Sequence, residues 1–445
     1  MKHTLNTRLL LSIAALLCLA VRSTGQEIYR FPENIKPLIT TRWGQQFPYN
    51  LYAPQVTKGG VTSIVPAGCG PIAMAQVINY HQYPQTVPTM GRTYDWTLMF
   101  DKYKMSIENK SLESVANLIY DCGNSAFTWY SQKGSSNTLS AVMGGMRYHF
   151  RYTNYMSIYS RNQFNTPHLD SIYRQLIFSE LKARRPIIYR GYSEKEREGH
   201  LYIIDGCKGN KVHVNMGWEG KGDGYYTLDD LNTYNTEQWM LIEVADSTYH
   251  PQITSVRLDT AGTLRKQLNG DARLLTRHIQ ISGSMNEHDF ATLREMLQYG
   301  MLRTIDLKET DVTILPDSAF YDCFYLSHVK LPRYLEKIGH HSFCLCPNLN
   351  LIDLPEGLKF IGNGAFGGCI YLRELQLPSS IKTILSNAFN SCQMLTSVNI
   401  PEGTELLGSY VFAHCKRLQT LQLPQSLKII GKDITHDCPL LESQK

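Results

Sequence analysis

Cysteine recurs every 23 residues through the last third of the chain, at Cys323, Cys346, Cys369, Cys392, Cys415 and Cys438. Phenylalanine keeps the same interval at Phe320, Phe343, Phe366, Phe389 and Phe412, and proline at Pro332, Pro355, Pro378, Pro401 and Pro424. A period in the twenties leaves few folds open, because a unit that short cannot bury its own apolar face and must stack on its neighbours as one coil of a leucine-rich solenoid. Each unit runs Leu-x-x-(Val/Ile/Leu)-x-(Leu/Ile)-Pro, as from Leu372 through Leu375 and Leu377 to Pro378. A second apolar pair such as Leu358 and Ile361 follows, then Ala-Phe-x-x-Cys. The pattern predicts one short strand per coil, with Phe and Cys filling the interior. It predicts five coils and a partial sixth over 312–445, with departures at Leu385, where neighbouring coils have Gly, and at Ile434-Thr435, which replace the aromatic. Residues 248–311 read as a linker around Pro251 followed by an irregular N-terminal cap.

The first half of the chain holds a different signal. Cys69 stands between Gly68 and Gly70 at the start of an apolar run, Pro71 to Ile78, that reads as a centrally buried helix with Pro in its first turn. A thiolate is the attacking form of cysteine, and a helix N-terminus and a nearby imidazolium both favour it. Far downstream, residues 200 to 218 form two β-rich runs around a Gly/Asn turn, which predicts a hairpin. With Asp205 facing Asn210 across that turn, His200 falls opposite Asn215, their Cβ atoms about 4.5–5.5 Å apart. Cys69, His200 and Asn215 then suit a nucleophile, base and orienter, with Trp218 shielding the His–Asn hydrogen bond.

These residues resemble the streptopain-like branch of the papain-like cysteine peptidases. The matching positions run from about 37 to 232. They include Trp43 to Asn50, the Cys69 helix with its Asn79-Tyr80-His81-Gln82-Tyr83-Pro84 continuation, Tyr94-Asp95-Trp96, Leu118 to Gly123, and Gly217-Trp218 running to Gly224-Tyr225. The resemblance implies an oxyanion hole built from the Gln45 side chain and the Cys69 backbone N–H. Two positions depart from the family. Cys69-Gly70-Pro71-Ile72-Ala73 stands where the family has Cys-Val-Ala-Thr-Ala, and Asn215-Met216-Gly217-Trp218 where it has Asn-Trp-Gly-Trp. The second bears on substrate preference and rate. The repeats in turn resemble the BspA-like leucine-rich repeats of bacterial surface and secreted proteins.

Residues 1–25, with Lys2, His3 and Arg8 before an apolar run from Leu9 to Val21 and then Ser23-Thr24-Gly25, are expected to be a secretory signal peptide. The run is too short for a membrane span, and no transmembrane segment is expected later. Only residues 26–44 precede Gln45, so the long inhibitory pro-segment of streptopain-like enzymes is not expected. Of 445 residues 43% are hydrophobic, and the formal net charge of +5 includes no long basic block, so nucleic acid is not implied as a partner. The eleven cysteines do not suggest a disulfide framework: six belong to the repeat, Cys18 leaves with the signal, and Cys69 must stay free. The repeat thiols, Cys122 and Cys207 are expected to be reduced core groups, with Cys344 exposed. No His/Cys cluster has metal-ligand spacing, and no metal or cofactor is inferred. The glycines at 217, 220, 222 and 224 read as a turn, not a phosphate cradle, and His81 as structural. Thr128–Asn137 and Tyr192–Gly199 are expected to border the substrate groove, with Glu194–Glu198 as a solvated flap.

The sequence therefore predicts an α+β chain: signal peptide 1–25, a papain-like peptidase domain over 26–247, linker and cap over 248–311, and a leucine-rich solenoid over 312–445. The expected function is that of a cysteine endopeptidase, secreted or at the bacterial cell surface or periplasm. It would act on protein or peptide substrates and bind a protein ligand through its repeats. Two alternatives stand beside it: a surface adhesin with an inactive peptidase-like domain, and a transpeptidase or amidase that resolves the same acyl-enzyme with an amine.

Overall fold

A computed structural model describes residues 29–103, 109–132 and 134–442. The expected signal peptide and Cys18 lie outside the described residues.

The first half is a helical layer packed on an antiparallel sheet. Helix α1 (Cys69–His81) is buried along its whole length from Gly70 to Ile78, as its nearly all-apolar sequence requires. Around it pack α2 (Asn109–Ser125) and α3 (Leu139–Tyr148). The sheet comprises β1 (Ser157–Ser160), β2 (Ile187–Ser193), β3 (Glu198–Lys208), β4 (Lys211–Asn215), β5 (Gly224–Tyr226) and β6 (Thr236–Ile242), in the order β1-β6-β2-β3-β4-β5. Period-2 alternation gives each strand two apolar faces. Ile188, Leu201, Ile203 and Leu241 pack with α1–α3. Tyr189, Tyr202, Ile204, Met240 and Ile242 pack on the other face with Tyr173, Ile177 and Leu181 of α4 (Pro167–Lys182). The sheet is thus covered on both faces, and the N-terminal tip of α1 reaches β3.

The second half is a solenoid, with two differences from expectation. Each coil contributes two strands, not one. The first parallel ladder runs through His328–Lys330 and Ile352–Asp353 and resumes at Leu375–Gln376, Ser397–Asn399 and Thr420–Gln422. The second runs from Ile314–Leu315 through Lys337–Ile338 to Ile429–Ile430. The apolar pair of each unit, taken for packing alone, therefore also forms a strand. The cap is regular as well: Thr254–Leu258, His278–Gly283 and Thr304–Thr310 are parallel members of the first ladder, with helix Glu287–Tyr299 between the last two.

Phe320, Phe343, Phe366, Phe389 and Phe412 stack in a column with centroids 5.1–5.6 Å apart. Below them Cys323, Cys346, Cys369, Cys392 and Cys415 form no disulfide. Their thiols are more than filler: Cys346, Cys369, Cys392, Cys415 and Cys438 each donate to the carbonyl of the Phe in the coil before, at 3.0–3.4 Å. Each coil's inward-facing carbonyl thereby gains a donor. Cys344 is half-buried.

Four histidines are held neutral by burial: His81, His149 and His200 have their pKa lowered to about 4, and His328 to about 3. An unfolded chain takes up these protons near pH 6.5, while the fold refuses them until about pH 4. Stability is therefore full above about pH 6.5 and is lost as pH falls toward 4. The urea midpoint at pH 5 should lie clearly below that at pH 7.5, by an amount equivalent to a few kcal/mol, since each tenfold loss of proton affinity on folding is worth about 1.4 kcal/mol. Equal midpoints would contradict the buried neutral state of these rings.

Candidate active site

Gly68 precedes α1 at φ 99°, a conformation a residue with Cβ rarely adopts. Its missing side chain admits Ser135, whose Cβ lies 3.1 Å from where a Gly68 Cβ would sit. A Cβ on Gly70 would come within 2.0 Å of Asn137 Oδ1. The two glycines around Cys69 therefore serve close approach of the loop before α3. Cys69 is half-buried, and its sulfur lies within reach of the backbone N–H groups of Gly70, of Cys69 itself and of Leu201 on β3. Those donors favour the thiolate, but burial outweighs them and the nearby Glu198 carboxylate opposes it, so the thiol pKa is raised. The lowered pKa expected for this helix start is not what the fold provides.

His200, on β3 next to Leu201, is buried. Its Nε2 donates to the Met216 carbonyl at 2.9 Å, leaving Nδ1 as the acceptor. The ring stacks on Trp218 at 4.5 Å and 28°, with Tyr234 at 5.2 Å. Burial lowers its pKa to about 4. Both Cys69 and His200 are thus neutral, and no sulfur–imidazole hydrogen bond joins them among the described residues. A thiolate–imidazolium pair is therefore not formed.

The hairpin register differs from expectation, and with it the role of Asn215. Lys208 pairs with Lys211 across a tight Gly209-Asn210 turn, a bulge lies at Asp205, and Ile203 pairs with Asn215. The bulge turns the buried Asp205 carboxylate to accept from the Ile39 N–H (2.9 Å) and His213 Nδ1 (2.7 Å). Asn215 therefore does not sit opposite His200. Its Nδ2 donates to the Thr41 carbonyl at 2.8 Å, and its Oδ1 accepts from the Gly217 N–H at 3.0 Å. It also forms a head-to-tail amide pair with Gln76, at 3.2 and 3.3 Å. Asn215 thus fixes the turn that aims the Met216 carbonyl at His200. Gly217, at φ 70°, lets that turn close on Ile72 of α1.

Two residues that support this turn were not expected from sequence, although each carries a local signal. Gln76 is the only polar residue in the apolar run of α1; it also accepts from Thr41 Oγ1 at 2.9 Å and so ties the segment near Trp43 to the helix. Asp223, a carboxylate among the glycines, accepts from the Met216 N–H at 2.8 Å. The Met216 carbonyl itself has no sequence signature, since any residue supplies one.

Gln45 is brought to the same place by its main chain: its carbonyl accepts from the Ala67 N–H at 2.9 Å, two residues before Cys69. Its half-buried side-chain amide has no hydrogen-bond partner among the described residues. Among those residues, too, no group of His, Cys, Asp and Glu could hold a metal ion, and no helix is long and apolar enough to cross a membrane.

Residues 43–226 match the model of the Peptidase C10 family, and residues 313–442 match six copies of the BspA type leucine-rich repeat region. The chain joins a streptopain-like domain to BspA-like repeats. Streptopain from Streptococcus pyogenes serotype M28 is 28% identical over 231 residues, 44% of this chain and 56% of that protein. The chain therefore spans little more than half the length of this curated relative. The thiol protease/hemagglutinin PrtT of Porphyromonas gingivalis is 22% identical over 251 residues, 48% of this chain and 28% of that one. The structure of active wild-type interpain A cysteine protease from Prevotella intermedia is 30% identical, covering 51% of this chain and all of that one, with a TM-score of 0.43.

In the streptopain-like domain Glu198 lies two residues before His200, on the same face of β3, and accepts from Tyr234 Oη at 3.2 Å. Because its charge raises the Cys69 pKa, Glu198→Gln should move the pH profile of Cys69 alkylation to lower pH, by about half a unit. An unmoved or upward-shifted profile would rule out this coupling.

Proposed function

We propose that this protein is a secreted cysteine endopeptidase that hydrolyses protein substrates through an acyl-enzyme on Cys69. The observation that carries the reading is the Cys69 sulfur against the backbone of the His200 strand, with the imidazole aimed by the Met216 carbonyl. A substrate carbonyl entering beside Cys69 is attacked as His200 Nδ1 takes the thiol proton, and the Met216 carbonyl supports the imidazolium through Nε2. The Cys69 N–H and the Gln45 side chain receive the oxyanion; such a donor is worth about 3–4 kcal/mol of transition-state stabilisation. The collapsing intermediate releases the amine, which takes the proton from His200. Water then resolves the thioester by the same relay. Asn215 acts through the Met216 turn, and Trp218 shields the ring. A neutral resting pair suits this sequence, since the proton moves only once substrate is present.

The proposed organisation is a signal peptide over 1–25, the peptidase domain over 26–247, linker and cap over 248–311, and repeats over 312–445 that bind a protein ligand outside the cell or at its surface. The test is incubation of purified residues 26–445 with an unfolded protein under reducing conditions, with and without a class-wide cysteine-peptidase inhibitor. Fragments are identified by mass spectrometry, and an added amine nucleophile separates hydrolysis from transfer. Inhibitor-sensitive cleavage is expected. The unbonded, neutral Cys69–His200 pair favours one other reading, a surface binding protein whose peptidase-like domain is inactive; no cleavage, with Cys69 inert to a thiol reagent, would leave that one.

A further inference from the structure

The repeats are fastened to the streptopain-like domain at the residues that hold the Cys69 doorway. Thr138 caps α3, accepting from the Ala141 N–H at 3.1 Å, and its hydroxyl also hydrogen-bonds Tyr371 Oη in a repeat coil. Arg373, two residues on, is buried, donates to the Ala141 carbonyl at 3.2 Å and lies over the Phe127 ring, 4.3 Å from its centroid. Arg417, from a later coil, lies over the same ring at 3.9 Å. Two guanidiniums thus share one partly exposed phenylalanine, in an arrangement where they repel each other. Phe127 and Thr138 are the two ends of the loop that packs on the active-site helix. Within it, Trp129 and Ser136 pair through both backbone bonds, Ser135 Oγ donates to the Pro66 carbonyl at 2.7 Å, and Asn137 donates to Thr128 Oγ1 at 2.9 Å. Ser135 abuts Gly68 and Asn137 abuts Gly70, one on each side of Cys69.

We propose that Tyr371, Arg373 and Arg417 are positioning residues for Cys69, so that the repeats form one wall's support in the active site as well as a binding arm. The physical route is short. The coils fix both ends of the loop, the loop fills the space left by the missing side chains of Gly68 and Gly70, and those glycines set the direction of the Cys69 N–H and sulfur. Only the kinetic readout rests on the peptidase reading; the packing of Cys69 does not.

The test uses the full chain carrying Tyr371→Phe with Arg417→Gln, Arg373→Gln alone, and Arg417→Lys, which keeps a cation over the ring. Alkylation of Cys69 by iodoacetamide is followed by mass spectrometry, with the half-buried Cys344 as an internal reference thiol. Freeing the loop should raise the Cys69-to-Cys344 rate ratio about five-fold in both Gln variants. It should lower kcat on a peptide by about as much, with KM little changed, because a misplacement of a fraction of an ångström at the nucleophile costs rate before it costs binding. Arg417→Lys should stay near the parent, and the double variant should keep the parent's thermal midpoint within a few degrees. An unchanged alkylation ratio in both Gln variants would overturn the proposal. If the parent cleaves no peptide, the peptidase reading fails, and the alkylation ratio still decides this one.

Discussion

A Cys69→Ala chain should cleave nothing and fold as the parent does. Removing a nucleophile that works as a unit with its base costs on the order of a millionfold in kcat, and removing His200 as well adds little, because each is useless without the other. The fold loses only a sulfur from a half-buried position at the tip of α1, where Gly70 to Ile78 carry the packing. The measurement is cleavage of an unfolded protein by parent, Cys69→Ala, His200→Ala and the double variant, alongside their thermal unfolding. Residual cleavage by Cys69→Ala above a percent of the parent rate would exclude Cys69 as the nucleophile. A double variant much slower than either single one would exclude its partnership with His200.

The second large effect belongs to Arg303, at the seam between the halves. It is fully buried, and its guanidinium donates to the carbonyls of Ile158 (2.9 Å), Gly300 (3.2 Å) and Leu302 (2.7 Å) and to Gln163 Oε1 (2.9 Å). It lies over the rings of Tyr159 and Tyr325, 4.1 and 4.3 Å from their centroids. Ile158 and Tyr159 belong to β1, the edge strand of the N-terminal sheet, so this side chain helps bolt the solenoid against that edge. Burial lowers its pKa to about 10, against the smaller opposing pull of Tyr159, Tyr325 and Glu243. Arg303→Ala leaves buried carbonyls without donors and a cavity between two rings, and should cost about 3–5 kcal/mol, read from urea unfolding. Arg303→Lys keeps the charge but loses the planar fork, and should recover part of the loss. A cost under about 1 kcal/mol for Arg303→Ala would mean that the seam contributes little.

How the two halves meet was not written in any local pattern. Arg303 and Arg373 look like ordinary surface arginines in sequence, because their partners across the seam, Ile158, Tyr159 and Gln163 for the first and Phe127 and Ala141 for the second, lie more than a hundred residues away. Arg147 is the same case, buried against Asn350 of the repeats at 2.9 Å.

Sequence by itself determined what local chemistry and periodicity can carry. The 23-residue interval of Phe, Cys and Pro fixes a stacked coil, since a unit that short cannot bury its own apolar face. The apolar run behind Cys69 fixes a buried helix, and His200 with Trp218 marks the strands that meet its tip. Only the tertiary structure decided how β3 and β4 pair beyond their turn: the tight Gly209-Asn210 turn sets Lys208 opposite Lys211, and a bulge at Asp205, stabilised by Ile39 from a distant segment, moves the later pairs by one residue, to Ile203 opposite Asn215. That register takes the orienting of His200 from the amide of Asn215 and gives it to the backbone of Met216, held by Asn215, Gln76 and Asp223. A main-chain carbonyl belongs to every residue alike, so its selection as a partner is made by folding and leaves no trace in the order of side chains.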